Sequence, residues 1–517
     1  MLKLKLKPRT LTDSDYERLY SHFESCGYDL YDYQREGVRF MATRENDPSY
    51  RSASLLCDEP GLGKTIQTGA LMWINPKSTT LLVLPKCVVS QWRDFFKVIF
   101  PDEDIYIHHG TKRCKSLEDL QEKLLTTRIV LTTFGTLKHL LLRIKWGRII
   151  YDEVHYLRNP KTTRSVVAQN MRADCYLGLT GTIINNSITD IRTVYKVLNF
   201  PEAVLEKTAG EYFDELNRKY IIRRTKDDVC AENPRLNLDK IDFRVIKTPF
   251  FFKEEREIHN SVMSQIYSKF GNNPDWSLVP LEHIMRMRQA CVHPRLVEHG
   301  FEKKFGVNIV SDEDLRVKST KFEIIREMIH SHSDEKSLIF SHYREEMDII
   351  THVLEVSGVT VYRIDGSLSI AERETVVRDF GEDEDTNCVM IIQISAGSVG
   401  INLQSASRVY ITSPHYNPSV EIQAIARAHR IGQTRKVHVV KLAIADDGFV
   451  ETRILEAQIR KREIMSIVLD DKRLEDNGRE EKLSPHIASV LSQGSSNEFI
   501  PRRIVDPYEV STEESDY

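Results

Sequence analysis

The chain has 517 residues, room for about three domains of ordinary size, each able to bury its own core. A hydrophobic fraction of 41% and a charged fraction of 29% describe a globular chain and exclude a disordered one. Lys and Arg number 72 against 76 Asp and Glu, a net charge of −4, so any nucleic-acid site has to be a local stripe or cleft on an acidic body. The 8 cysteines are scattered without a C-x-x-C pair, which argues against zinc ribbons, RING modules and disulfide scaffolds and fits a reducing compartment.

In chain order, Leu2-Lys3-Leu4-Lys5-Leu6-Lys7-Pro8 alternates apolar and basic residues, the pattern of an edge strand with a lysine face stopped by proline, not of a signal peptide. No apolar run is long enough to span a bilayer, so the expectation is an intracellular, soluble protein without a membrane partner. From about residue 31 to 229, short apolar runs alternate with helical patterns, as in a parallel α/β sheet. Strands are expected at 54–57, 80–84, 129–132, 148–151 and 176–179. A second α/β block runs from about 320 to 465, with strands expected at 337–340, 360–364, 389–393, 408–412 and 437–442.

The texture between the blocks differs. Ile258, Val262, Ile266 and Phe270 recur at i, i+4 spacing with Met263 and Tyr267 beside them, predicting an amphipathic helix over 254–270. A second helix is expected over 280–289, with Pro280 in its first turn. Residues 230–319 therefore read as a helical insertion or hinge between two α/β lobes, 1–229 and 320–470. From 471 to 517 the chain turns polar. Its end carries Asp506, Glu509, Glu513, Glu514 and Asp516 and no base after residue 505, the composition of a solvated, disordered tail.

The chemistry begins at Tyr33-Gln34, where a Gln amide is able to pair with N6 and N7 of adenine, making Gln34 a candidate for base selection. Asp58-Glu59-Pro60-Gly61-Leu62-Gly63-Lys64-Thr65 then joins an apolar run to a helical pattern. A glycine-bearing turn between a strand and a helix points successive N–H groups, and the helix N-terminus, into one anion-sized concavity. Gly61 and Gly63 permit positive φ, Lys64 would reach the β- and γ-phosphates, and the Thr65 hydroxyl would ligate Mg²⁺. Asp58 stands where the general motif has its first glycine, and Pro60 donates no N–H.

Tyr151-Asp152-Glu153-Val154-His155 closes an expected strand, and carboxyl ends of parallel strands are where such sheets bind ligands. Asp152 would hold Mg²⁺, Glu153 would polarise the attacking water, and His155 would link this strand to the next loop. That loop, Leu179-Thr180-Gly181-Thr182, offers two hydroxyls for a relay, although a plain β-turn explains it equally well.

In the second block, Gln423, Arg427 and Arg430 fall at i, i+4 and i+7 in a stretch read as a helix with Gly432 near its C-cap, so all three are expected on one face. The functional reading has the two arginines reaching across a cleft to a γ-phosphate; the alternative is a solvated basic face. Ser395-Ala396-Gly397-Ser398-Val399-Gly400-Ile401-Asn402-Leu403 follows a strand with small and hydroxylic residues suited to a phosphodiester backbone.

Taken together, the chain resembles the Swi/Snf-like ATPases, double-stranded DNA translocases of helicase superfamily two. The resemblance rests on Tyr33-Gln34, D-E-P-G-L-G-K-T, Leu84-Pro85-Lys86 through Gln91-Trp92, Thr132-Thr133-Phe134, D-E-V-H and L-T-G-T. It continues through Arg223-Arg224-Thr225-Lys226, Arg288-Gln289-Ala290-Cys291-Val292-His293-Pro294, Asp365-Gly366-Ser367, Gly400-Ile401-Asn402-Leu403 and the R-A-H-R-I-G-Q run from Arg427. An aspartate at the first position of the phosphate loop looks like this family's own variant. Two departures stand out: L-T-G-T is followed by Ile183-Ile184-Asn185-Asn186 in place of P-I-Q-N, and Ser413-Pro414-His415-Tyr416-Asn417-Pro418 replaces an acidic residue followed by Trp-Asn-Pro.

The resemblance implies an α/β protein of two RecA-like lobes with a helical insertion, and ATP and Mg²⁺ at their interface. The partners implied are double-stranded DNA, the proteins bound to it, and a recruiting protein if the chain is a bare motor. It implies nuclear localisation if the source or host is eukaryotic. Lys86, Thr133, Phe134, Ser341, Gly366 and Ser395 would lie toward the DNA backbone, with core packing the equal alternative for Phe134 and Trp92. Glu451, Ile454 and Leu455 resemble a closing helix that braces the lobes. Three functions stay open on the sequence: an ATP-driven translocase that remodels or displaces DNA-bound protein, a strand-separating DNA or RNA helicase, and an ATP-gated DNA clamp with little turnover.

Overall fold

A computed structural model of the chain describes residues 10–47, 52–181, 188–201, 219–233, 236, 238–271, 278–297, 318–394, 401–445, 450–469, 479–481 and 487. Short apolar runs, buried on both faces, make two parallel sheets of 7 strands each. The first contains β1 (Ala53–Leu56), β2 (Thr80–Leu84), β3 (Ile105–His108), β4 (Ile129–Thr133), β5 (Lys145–Asp152), β6 (Arg172–Leu179) and β7 (Ile221–Ile222), in the order β3-β4-β2-β5-β6-β1-β7. The second contains β8 (Asp242–Thr248), β9 (Ser337–Ser341), β10 (Thr360–Ile364), β11 (Cys388–Gln393), β12 (Arg408–Ile411), β13 (His438–Ile444) and β14 (Arg479–Glu481), in the order β10-β11-β9-β12-β13-β8-β14.

Register follows from the apolar runs. Ala53 pairs with Tyr176 and Leu56 with Leu179, while Leu82 sits between Leu131 and Ile150. Successive side chains point to opposite faces, so Leu55 joins one core of the first lobe and Leu56 the other. In the second lobe Ile339 and Phe340 divide the same way. Arg148, at the centre of the first sheet, forks onto Glu45 at 2.6 and 2.5 Å and donates to Asn75 O at 2.7 Å. That buried pair ties helix Asp32–Asn46 and the end of helix Lys64–Ile74 to β5.

Two elements move the expected domain boundaries. β8 lies inside the span read as helical and pairs with β13 from Asp242↔His438 to Thr248↔Ile444, so the second lobe begins near residue 242, not 320. Its alternating sequence, Asp242-Phe243-Arg244-Val245, suits a strand next to a short edge partner better than a fully buried run. That partner is β14, from the stretch read as a disordered tail, which pairs with β8 from Arg479↔Arg244. Helices Lys253–Phe270 and Leu281–Ala290 thus form an excursion between β8 and β9. They pack through Val262, Ile266, Met287 and Ala290 against Val450 and Ile454 of helix Val450–Leu469. Pro280 is the N-cap of its helix rather than a first-turn residue. No helix among the described residues is long and apolar enough to cross a membrane.

Candidate active site

The strand order β5-β6-β1 brings three strand-to-loop turns side by side at the carboxyl edge of the first sheet. β1 runs into the phosphate loop. Gly61 has φ +98° and Gly63, the N-cap of helix Lys64–Ile74, has φ +76°, a left-handed conformation that glycine adopts without steric cost. A Cβ at Gly63 would stand 2.4 Å from Gln34 Nε2, so the loop also needs the missing side chain. Lys64 Nζ donates to Asp58 O at 2.7 Å and Glu59 O at 3.3 Å, which places its ammonium inside the curve of the loop. Thr65, one residue later, is partly exposed on the same first turn.

β5 ends in the two carboxylates. Trp92 Nε1 donates to Asp152 Oδ2 at 2.9 Å. Burial first, then the charge of Glu153, raise Asp152 above the ordinary carboxylate range, against that donated N–H and Lys64. Glu153 is held in the left-handed region at φ 53°, ψ 53°, which no β-carbon-bearing residue favours. Burial alone would raise its carboxyl; the hydrogen bond and charge of His155, with Lys64 and Arg427, outweigh it and hold the group low. His155 Nδ1 lies 3.2 Å from Glu153 Oε2 and 3.1 Å from Thr180 Oγ1, at the end of β6. The expected relay from D-E-V-H to Thr180 is therefore formed; Thr182 lies outside the described residues.

The second lobe faces this edge. Gln423 Nε2 donates to the other Glu153 oxygen, Oε1, at 3.3 Å. Arg430 packs on the phosphate loop: a Cβ at Gly61 would meet Arg430 Cγ at 3.3 Å. Arg427 is partly buried near Arg430 and Glu153, and desolvation, then the Arg430 charge, push it down to about 10. The two arginines do not share a helix face with Gln423, as the spacing had suggested. The helix is Pro418–Ile425, and Arg427 and Arg430 follow it in a run of turns. The chain tightens there: Arg427 N–H bonds to Ala424 O and Ala428 N–H to Ile425 O, both at 3.1 Å and both three residues back instead of four. Leu403 N–H takes Arg427 O at 3.1 Å, Gln404 Nε2 takes Arg430 O and Ile431 O at 3.2 and 2.6 Å, and Gln433 Nε2 takes Ala428 O at 3.2 Å. Those acceptors are lost to any helix running past Arg430, and Gly432 at φ +97° turns the chain away.

Residues 33–296 match the SNF2-related domain and residues 320–432 match the helicase conserved C-terminal domain. The chain belongs to the SNF2-related family. Among its relatives, the ISWI chromatin-remodeling complex ATPase ISW1 of Saccharomyces cerevisiae is 27% identical over 90% of this chain and 43% of its own length. The ATP-dependent DNA helicase DDM1 of Arabidopsis thaliana is 26% identical over 86% and 62%, respectively. This chain thus spans only about half the length of such relatives. A solved SWI2/SNF2 ATPase core of Sulfolobus solfataricus in complex with dsDNA aligns over 86% of this chain and 94% of that one, at 24% identity and a TM-score of 0.38.

The remaining site residues of this SNF2-related chain take distinct places. Asp58 is fully buried below the loop, where Arg224 forks onto it (Nε–Oδ1 3.0 Å, Nη2–Oδ2 2.6 Å) and Gln67 Nε2 donates at 2.9 Å. Arg224 also donates to Tyr33 O and to Gln67 Oε1 at 2.9 Å. Gln34 spends its amide N–H groups on Tyr33 Oη at 3.2 Å and Leu62 O at 3.3 Å, and its carbonyl accepts from Tyr31 N–H at 3.1 Å, so it buttresses the loop from beneath. Glu59 accepts from Lys226 N–H at 2.9 Å, and Pro60 lines an interlobe cavity of about 420 Å³ with Lys226 and His429. Leu62 joins Tyr33, Val229 and Leu236 in a small apolar cluster against which Ile431 of the second lobe packs.

Of the positions expected to face DNA, Lys86 and Gly366 are exposed at the carboxyl edges of their sheets. Thr133, Phe134 and Ser341 are not. Thr133 Oγ1 bonds to His109 and Thr136 at 3.2 and 2.9 Å, and Phe134 is buried and stacked on Tyr156 at 5.2 Å and 12°. Ser341 is fully buried at the end of β9. Core packing is thus what Phe134 does. Ser395 lies outside the described residues. Sequence reasoning missed the carboxylate partner of Trp92 and, although Arg224 and Lys226 stand in a quoted motif, assigned neither a role. Arg223-Arg224-Thr225-Lys226 directly follows the two-residue strand β7, next to β1, a placement that only the structure reveals.

Proposed function

We propose that the chain is an ATP-dependent translocase on double-stranded DNA that remodels or displaces DNA-bound protein. The observation that carries this reading is the shared site: Glu153 of one lobe is held by Gln423 of the other, with Arg430 against Gly61 of the phosphate loop. A triphosphate bridging such a cleft links hydrolysis to lobe closure. The names of the relatives, which describe a chromatin-remodeling complex ATPase and DNA repair proteins, support DNA as the track.

The donors suit Mg²⁺: the Asp152 carboxylate and Thr65 hydroxyl are hard oxygens, and this ion is held by one or two carboxylates with substrate phosphates completing its shell. When bound, it neutralises charge building on the β- and γ-phosphates. The chain's own residues do the rest. Backbone N–H groups of the loop and the helix N-terminus orient the phosphates, and Lys64 leaves its carbonyl partners to reach them. Glu153, kept ionised by His155, orients the attacking water and takes up its proton. Arg427 and Arg430 stabilise the charge on the transferred group. Lys86 and Gly366 offer exposed groups to the DNA backbone.

The test is ATP hydrolysis with double-stranded DNA, single-stranded DNA and RNA, run beside a strand-displacement assay. The expected result is stimulation by duplex, no displaced strand, and stimulation that falls steeply with added salt. Stimulation by RNA alone overturns the proposal, and displaced strand moves it to a helicase.

A further inference from the structure

Three consecutive residues, Arg224, Thr225 and Lys226, sit between the phosphate loop and the second lobe, and the hydrolysis scheme above uses none of them. Arg224 forks onto Asp58, and its carbonyl accepts from Glu59 N–H at 3.0 Å. Thr225 caps helix Lys226–Glu232 through a reciprocal bond pair with Asp228. Lys226 is therefore rigid at its backbone, with its N–H on Glu59 Oε2 at 2.9 Å. Its side chain runs the other way. Nζ donates to His429 O at 2.6 Å and lies 3.4 Å from His429 Nδ1.

His429 stands between Arg427 and Arg430, so the carbonyl that Lys226 grips belongs to the arginine turn itself. The imidazole is fixed from its far side: Nε2 lies 2.8 Å from Asp239 O, in the crossover that leads into β8. A carbonyl accepts only, so Nε2 carries the proton and Nδ1 turns its lone pair to the ammonium. Lys226 Cε and Arg430 Cγ both stand over the same glycine: a Cβ on Gly61 would meet them at 3.6 and 3.3 Å.

This placement works against stability. The ammonium is buried and has Lys64, Arg430 and Arg427 as neighbours; burial first and those cations next push it down to about 8, against the attraction of Glu59. An apolar side chain would fill the same space without that cost. A buried cation whose hydrogen bond spans the lobes and ends on the arginine turn makes sense as a device that sets where the turn stands.

We propose that Lys226 is a positioning residue for ATP turnover: by gripping the His429 carbonyl it holds Arg427 and Arg430 against the phosphate loop when the lobes are closed. The proposal rests on the reading of those arginines as hydrolytic groups. It separates this lysine from Lys64, whose ammonium lies inside the loop.

The experiment compares duplex-stimulated ATP hydrolysis by the full chain and its Lys226→Met, Lys226→Arg and Arg427→Ala variants, with binding of a fluorescent ATP analogue and thermal unfolding measured alongside. Loss of one charged hydrogen bond across the cleft predicts that Lys226→Met lowers kcat by about ten- to a hundredfold while KM for ATP and analogue affinity stay within about twofold. Lys226→Arg, which keeps a donor and a charge, recovers much of kcat, and the unfolding midpoints of both stay near wild type. Wild-type kcat in Lys226→Met alongside a slow Arg427→Ala overturns the proposal and leaves the arginine reading intact. A raised KM with unchanged kcat also overturns it, because the lysine is then a ligand of the nucleotide. Wild-type kcat in Arg427→Ala removes the reading on which it rests. If Lys226→Met does not fold, Lys226→Arg decides on the same kcat-against-KM split: unchanged kcat with raised KM overturns the proposal.

Discussion

Removing the Arg224 guanidinium is the sharpest perturbation of the site that leaves every expected ATP contact in place. Asp58 is fully buried, and Arg224 supplies bonds to both its oxygens, at 3.0 and 2.6 Å. Two unit charges about 4 Å apart at an effective dielectric of about 20 attract by about 4 kcal/mol. Breaking a buried pair by deleting one partner costs about 3–5 kcal/mol, because the other charge is left without its counter-ion. Gln67 Nε2 at 2.9 Å softens the loss for Asp58 without replacing a cation. Arg224→Met is therefore expected to destabilise the first lobe by about 3–5 kcal/mol and Asp58→Asn by a comparable amount. The double variant removes both charges and is expected to recover to within about 2 kcal/mol of wild type. Arg224→Lys falls between, since one ammonium cannot satisfy both oxygens and Gln67 together. Urea unfolding followed by tryptophan fluorescence reads this directly, with Trp73, Trp92 and Trp146 all in the first lobe. A wild-type midpoint for Arg224→Met, or strict additivity in the double variant, refutes the reasoning.

Glu153→Gln is expected to abolish ATP turnover with the fold intact, whereas Glu153→Gly loses turnover and gains about 1 kcal/mol of stability by relieving the left-handed backbone; a lower melting temperature for the glycine variant counts against that strain. Trp92→Phe keeps the ring packing but deletes the N–H on Asp152, so the Mg²⁺ concentration giving half-maximal hydrolysis should rise by about tenfold, and an unchanged Mg²⁺ titration refutes the assignment. Glu255 is pushed up to about 7 by burial, against bonds from Thr320. A carboxyl raised above its unfolded value contributes stability in full below about 4.3, the unfolded pKa, and loses it as pH rises through about 7, so unfolding midpoints of the wild type should fall over that window while those of Glu255→Gln stay flatter.

Much of the site was legible because its chemistry is local. A strand, a glycine turn and a helix start are consecutive in sequence, and so is the run from β5 into Asp152 and Glu153. Ten strands were readable as short apolar runs. β3, β7, β8 and β14 were not, and each has a reason. β3 is an edge strand with partly exposed residues, β7 spans Ile221–Ile222 alone, and β8 alternates polar and apolar residues beside the short edge strand β14. Periodicity also put Arg427 and Arg430 on a helix, since Ala-rich sequence favours one. In the structure Arg427 and Ala428 instead close turns on Ala424 O and Ile425 O, and the side chains of Gln404 and Gln433 hold the carbonyls that follow.

The illegible part has a common form. Arg224 meets Asp58 across 166 residues, Lys226 meets His429 across 203, and Gln423 meets Glu153 across 270. None of these pairs leaves a spacing signal, because the partners sit on different strands or different lobes. Two of the three involve residues 224–226, which leave β7 and begin the crossover into the second sheet. Asp239, whose carbonyl holds His429, lies at the other end of that crossover. One connecting segment thus touches the phosphate loop at Asp58 and Glu59 and the arginine turn at His429. A connection that only joined two sheets would need neither the buried fork of Arg224 nor the buried ammonium of Lys226. The crossover thus joins the phosphate loop to the arginine turn through its own side chains, a link that no spacing pattern in the sequence announces.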